Sequence, residues 1–343
     1  MINRLAWHQL TSERLRLAAA VAGITFIVLL QLMQLGFRSA LFAAATRAFV
    51  PLQADIVLTS PKYEFVVAAS AFARQRLYQA LMHADVVSVA AVNSGVTAIM
   101  DEETRHVRQI TVLGISPDEG AFDPASLNGD FSSLGLADTV LLDAKTRPEY
   151  RPILAAFRRN HALVAEVGGR RLEVTGLFEL GVDFTGNPHL LTSHTTFRRI
   201  FHTPEGAIQI GLVRVRPGAN VDVVRAELEA TLPSDVEVLT KQQFLDQEVA
   251  YWAERQPVGF IFDSGLLVAL IVGAVIVYQI LYTDVTNHLP EYATLKAMGY
   301  RDSALFLVVV QEALILSVLG LPVGVLLALG IYAIAREATG LPI

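Results

Sequence analysis

Hydrophobic positions in this chain follow two regimes. Three runs are apolar on every face, and the long stretch between the first two alternates or recurs at helical spacing. The first run, Leu17 to Gly36, has 20 residues and no charge. At 1.5 Å per residue it spans about 30 Å, the thickness of a hydrocarbon core. The second, Val258 to Thr283, carries one charge, Asp263, near its start. The third, Ala304 to Ala335, contains Gly320, Pro322 and Gly324. It is longer than one crossing needs, so the pattern predicts tilt, a kink at Pro322 or an interfacial beginning.

These runs divide the chain. Residues 1–16 form a cytoplasmic or interfacial helix, with Leu5, Trp7 and Leu10 dipping into the leaflet. Residues 17–41 are the first span, 42–257 a large domain, 258–283 the second span, 284–303 a short loop, 304–335 the third span and 336–343 the end. Arg4, Arg14 and Arg16 face only Glu13 before the first span, which sets the N-terminus inside. The large domain is then outside and the short loop inside. The alternative for the first run is a cleaved signal peptide with Ala43–Ala45 at the cut, though both the run and its leader are long for one.

Within 42–257 the expected strands are Asp55–Thr59, Val86–Val92, Val107–Leu113, Thr139–Leu142, Arg171–Leu177, Gln209–Val215 and Asp235–Leu239, each bounded by turn residues. The expected helices are Phe65–Met82, Val221–Leu232 after the cap Asn220, and Lys241–Glu254 after Thr240 with Gln243 completing a capping box. The last leads straight through Pro257 into the second span. The fold class is therefore α-helical spans plus a large α+β domain.

Composition narrows the chemistry. Charged residues are 17% of 343, hydrophobic ones 53%, and the net charge of −6 points away from nucleic acid. No cysteine is present, which removes disulfides, thiolate metal sites and thiol catalysis. The motifs GxxxxGKS/T, HExxH and GxSxG are all absent, so no nucleotide cradle, zincin or hydrolase elbow is written in the chain. Eight histidines (His8, His83, His106, His161, His189, His194, His202 and His288) are scattered, and His189 and His194 read as solvated loop residues rather than metal ligands. Asp101–Glu102–Glu103 reads as a hairpin turn. No catalytic or metal-binding residue is assigned.

Three features remain. Glu312 lies inside the third run, where a charge costs a few kcal/mol. It either faces protein or water as an intramembrane polar group, or sits at the interface if the span starts later. Gly265, Ala269 and Gly273 line one face of the second span, and Gly320, Gly324 and Ala328 one face of the third, which permits close helix packing within the chain or in a homodimer. The loop 284–303 contains Pro290 and Glu291 at a helix start and Gly299 at its end. It predicts a two-turn helix, Pro290–Met298, presenting Tyr292, Leu295 and Met298. Such a helix either docks a soluble motor or is an ordinary interfacial loop.

The stretch PEYATLKAMGYRDSALFLVVVQEALIL resembles the coupling segment of FtsX/MacB-type ABC permeases. With LAWHQLTSERLRLAAAVAGITF, MQLGFRSALF, ADTVLLDAKTRPEY, GLFELGVDFTGNPHLLTS and FLDQEVAYWAERQPVGFIF, the chain is similar to the DevC group within them. The resemblance implies a MacB/FtsX-like (type VII) architecture, an inner-membrane homodimer in lipid, and a non-catalytic permease subunit of a tripartite exporter of glycolipid or other envelope material. It also implies a DevA-like ABC ATPase, a DevB-like membrane fusion protein and a TolC-like outer-membrane channel. ATP and Mg would reside on the ATPase, with no cofactor on this chain. Pro290, Glu291, Tyr292, Leu295, Lys296, Met298 and Gly299 would form the ATPase contact. The family has a fourth span, and a chain stopping at GLPI is expected to lack it. The alternative function is an FtsX-like regulator of an envelope hydrolase.

Overall fold

Along the apolar runs the chain forms three long helices, and where hydrophobicity alternates it forms a mixed sheet. The computed structural model describes residues 14–101, 105–160 and 163–341. The expected interfacial helix before Arg14, the Glu102–Glu103 part of the expected hairpin turn, His161 and the last two residues lie outside them. In chain order the elements are α1 (Arg14–Thr46), β1 (Ile56–Thr59), β2 (Phe72–Ala73), α2 (Gln75–Leu81), β3 (Val86–Asp101), β4 (Val107–Ile115) and β5 (Thr139–Asp143). Then come α3 (Arg151–Asn160), β6 (Leu163–Val167), β7 (Arg170–Phe178), β8 (His189–Ser193), α4 (His194–Phe201), β9 (Ala207–Ile208) and β10 (Ile210–Val215). The chain ends with α5 (Val221–Thr231), β11 (Glu237–Thr240), α6 (Lys241–Ala250), α7 (Pro257–Asn287), α8 (Leu289–Ala297) and α9 (Asp302–Thr339). Contacts divide the chain into a helical unit, residues through Ser39 with 258–335, and a sheet unit, Ala40–Pro257 with 336–342.

In the sheet unit nine strands run in the order β11-β1-β10-β3-β4-β8-β5-β7-β6, and β6 also pairs with β3. That extra pairing closes a circuit of six strands from β3 round to β6, with β10, β1 and β11 branching off the first half of β3. The 16 residues of β3 make this possible: Val86–Val92 pair with β10, and Ile99–Asp101 pair with β6. β4–β8 and β5–β7 are parallel; the other pairs are antiparallel. Alternate residues serve different cores. Leu141 joins Leu113, Leu191 and Phe244, whereas Val140 and Leu142 join Ile110, Val112, Ile153 and Phe157 of the facing layer.

Several expected elements take another form. Phe65–Met82 is not one helix: Phe72 and Ala73 pair with Ile208 and Ala207, the Arg74 amide donates to the Gly206 carbonyl, and only Gln75–Leu81 is α-helical. Gln209 holds the extended segment, donating from Nε2 to Ala69 O at 3.2 Å while its Oε1 accepts from the Ser94 amide. Tertiary hydrogen bonds thus override a stretch of good helix formers. α6 does not lead straight into the second span either. Its capping box is present, Thr240 Oγ1 accepting from the Gln243 amide and Gln243 Oε1 from the Thr240 amide. Beyond it come a π-turn over Tyr251–Arg255 and an extended Gln256, the conformation a residue before proline prefers. The third run is one unbroken 38-residue helix that contains Pro322, about 57 Å long.

Candidate functional site

In the helical unit, α1 is the element on which the other two long helices close. A Cβ built on Gly265 would stand 2.7 Å from Gln34 Nε2, and one on Gly273 2.9 Å from Ile27 Cγ2. On α9 the same construction puts Gly320 2.6 Å from Ile24 Cγ2 and Gly324 2.8 Å from Val28 Cβ. Ala269 and Ala328 are buried in the same stripes. Both small-residue faces therefore pack against α1 within this chain, because the missing side chains let helix backbones meet. Thr25 Oγ1 adds a buried hydrogen bond to Gly320 O at 3.3 Å. Gly36 admits the Tyr332 ring, whose hydroxyl donates to Leu32 O. Asp263, the lone charge of its run, pairs with Arg38 of α1 at 3.3 Å. Opposite single charges near one end of two apolar runs were the sequence signal for that pair.

The hairpin between α7 and α9 folds as a short helix with defined ends. Pro290 occupies the first turn of α8, where its missing N–H costs nothing. Gly299 takes φ of 94°, the Gly299 amide bonds Lys296 O and the Tyr300 amide bonds Leu295 O, a Schellman termination. Lys296 makes an exposed ion pair with Asp302 at the start of α9, at 2.8 Å. Tyr292 turns inward against Val308 and is buried. Its hydroxyl is raised above the usual phenol range by burial, with Glu312, Asp284 and Glu291 adding to the shift. Glu291, Lys296 and Met298 lie on the exposed surface and Leu295 is half-buried. The expected row Tyr292, Leu295, Met298 is thus split: Met298 is offered outward and Tyr292 anchors the helix.

Glu312 is fully buried, and among the described residues its carboxyl meets the Asp284 carboxyl rather than an N–H donor. Of the surroundings considered for this residue, the fold supplies protein: Glu312 is packed inside the helical unit. Asp284, which the sequence pattern puts in the short loop, lies instead in the last turns of α7 and faces it.

The sheet unit contains no constellation of three or more His, Asp or Glu side chains suited to a metal among the described residues. His189 and His194 are not solvated loop residues. His189 lies in β8, buried, with Nδ1 at 2.7 Å from Gly181 O. Burial disfavours its charged form, but Asp143, Asp183 and the Gly181 carbonyl outweigh that and raise its pKa. His194 begins α4; burial, with Arg74 adding to it, lowers its pKa to about 4. Asp143, fully buried, accepts from the amides of Lys145, Leu180 and Gly181 and so pins the loop after β7. This is a satisfied structural network. At the base of α6, Phe65 stacks on Tyr251 at 4.2 Å and Phe184 on Trp252 at 3.8 Å.

Residues 264–342 match the family described as FtsX-like permease C-terminal. This segment covers α8, α9 and the part of α7 from Ser264 onward. A search of curated proteins finds no significant match. Among solved structures, the periplasmic region of MacB from Actinobacillus actinomycetemcomitans is similar at 13% identity and a TM-score of 0.43, covering 56% of this chain and 91% of that one. The extracellular domain of the noncanonic ABC-type transporter YknZ from Gram-positive bacteria is similar at 13% identity and 0.39, covering 54% and 99%.

Proposed function

We propose that this chain is the membrane permease subunit of an FtsX/MacB-type ABC exporter, driven by a separate ATPase and performing no catalysis itself. The observation that carries the reading is the α7–α8–α9 hairpin inside the FtsX-like segment, a short helix anchored by Tyr292 and closed by Gly299. A helix so clamped transmits a push from a docked partner into two long helices, which a loose loop would absorb. Glu291, Leu295, Lys296 and Met298 form the docking surface, with Pro290 and Gly299 setting its ends. The DevC resemblance assigns the partners: a DevA-like ATPase, a DevB-like fusion protein and a TolC-like channel, with glycolipid or related envelope material as cargo and the permease as a homodimer in the inner membrane.

The test is a pull-down of the tagged chain from detergent-solubilised membranes. An ABC ATPase together with a fusion protein supports the exporter. An ATPase with an envelope hydrolase instead makes the chain a regulator. Leu295→Arg or Glu291→Arg that leaves ATPase capture unchanged would sink the docking surface.

A further inference from the structure

In the sheet unit a pocket of about 460 Å³ opens where the start of β1, the end of β10 and the first residue of α6 meet. Asp55 ties these elements together. Its amide donates to Val213 O, its carbonyl accepts from the Lys241 amide, and its Oδ2 accepts from the Val215 amide at 2.8 Å. Two cations line the same pocket. Arg214 Nη2 donates to Gln53 Oε1 at 2.7 Å, and Lys241 Nζ donates to Val50 O at 2.8 Å and to Leu52 O at 2.7 Å. Both side chains are thus tethered by neutral acceptors, which fix their positions without cancelling their charge. Arg214 Nε and Nη1 and the Gln53 side-chain nitrogen meet no acceptor among the described residues, and none of the three is sealed from solvent. Lys241 has a third N–H beyond the two its carbonyl partners take. Arg216 stands at the rim, held by Ala84 O and by Asp85 Oδ1 at 3.6 Å. Burial lowers the pKa of the Lys241 amine, and Asp55 is the charge that opposes this. One lining carboxylate therefore faces Arg214, Lys241 and the half-neutralised Arg216, so what fills the pocket must accept hydrogen bonds and carry negative charge.

We propose that this pocket binds a phosphate ester, with its phosphoryl oxygens on Arg214, Lys241 and Gln53 and its organic part along Leu52 and Val221. Donors from three side chains converge on one site, more than the two oxygens of a carboxylate engage and suited to the three terminal oxygens of a phosphate. The fixed guanidinium supplies paired, charge-assisted N–H groups, and the ammonium a point charge beside them. The volume is many times a water's share of about 30 Å³, which leaves room for the group the phosphate is attached to. The head group of an anionic phospholipid and a soluble phosphorylated compound present this same chemistry.

The experiment is calorimetric titration of the full chain in a neutral detergent with glycerol phosphate and with acetate, beside native mass spectrometry with dioleoyl phosphatidic acid. The expected result is binding of a phosphate ester, weakened roughly tenfold or more by Arg214→Gln and by Lys241→Gln. Arg216→Gln should weaken it less, because that guanidinium already has a carboxylate partner. Binding of glycerol phosphate supports the site with a soluble ligand; retention of phosphatidic acid alone, lost in the same variants, supports it with a lipid. Thermal unfolding followed by tryptophan fluorescence verifies that each variant is folded. Arg214→Gln gives up a single hydrogen bond to Gln53, so it keeps the test decisive if Lys241→Gln does not fold. The proposal is overturned if neither ester binds, or if affinity is unchanged in Arg214→Gln. It is overturned too if acetate binds as tightly as glycerol phosphate, since the pocket would then be a seat for an acidic side chain of a partner protein.

Discussion

Tyr63 Oη donates to Glu248 Oε1 at 2.5 Å, joining the loop after β1 to α6 inside the sheet unit. Both side chains are buried. Burial lifts the Glu248 carboxyl from 4.5 to about 7, because removing water penalises the charged form more than the Tyr63 and Val66 hydrogen bonds favour it.

The sign of the resulting pH dependence is definite. A raised folded-state pKa makes the contribution fully present below the unfolded value of 4.5, and lost as pH rises to about 7. Stability of the sheet unit should fall over that window by up to about 3 kcal/mol and level off above it. Melting of the full chain followed by Trp252 fluorescence at pH 5 and 8 measures this. Glu248→Gln should flatten the difference; an unchanged slope would assign the pH effect to other groups.

Helix packing gives a second prediction, with an internal control on the same helix. Gly320→Leu drives side-chain atoms into Ile24 and should cost about 1–3 kcal/mol through overpacking. A Cβ on Gly330 meets nothing within 4 Å, so Gly330→Ala should be neutral or gain up to about 1 kcal/mol of helix propensity. Melting in detergent separates the two, and equal effects would place the tight contact elsewhere.

The hairpin separates a structural residue from a docking residue. Tyr292→Ala removes a buried anchor and should lower the melting temperature, a loss of about 3 kcal/mol. Met298→Glu lies on an exposed position and should leave melting unchanged while reducing ATPase capture. If Met298→Glu destabilises the chain, the helix surface is not open as described.

Orientation is read by fusion reporters. A reporter at residue 120 should report the outer side and one at residue 295 the inner side. The reverse pattern would move the α8 surface away from any cytoplasmic motor.

Features encoded over a few neighbouring residues were legible in the sequence. Uninterrupted apolar runs yield α1, α7 and α9 because length and composition alone meet the bilayer requirement. The Thr240–Gln243 capping box and the Gly299 terminus are local hydrogen-bond patterns that the residue types announce. The two small-residue stripes were visible as stripes.

What the stripes meet was decided only by the tertiary structure. Gly265 and Gly320 are four-residue repeats until the fold sets Gln34 and Ile24 against them. Phe65–Met82 satisfies helical preference locally, yet Ile208, Gly206 and Gln209, far along the chain, supply hydrogen bonds that draw it into extended form. His189 and Glu312 read as exposed or ambiguous because burial belongs to the neighbours that surround a residue, not to its sequence window. Helix length, caps and turns come from energies within one turn of backbone, which sequence order specifies directly. Burial and pairing come from contacts between residues remote in sequence, which exist only once the chain has closed upon itself.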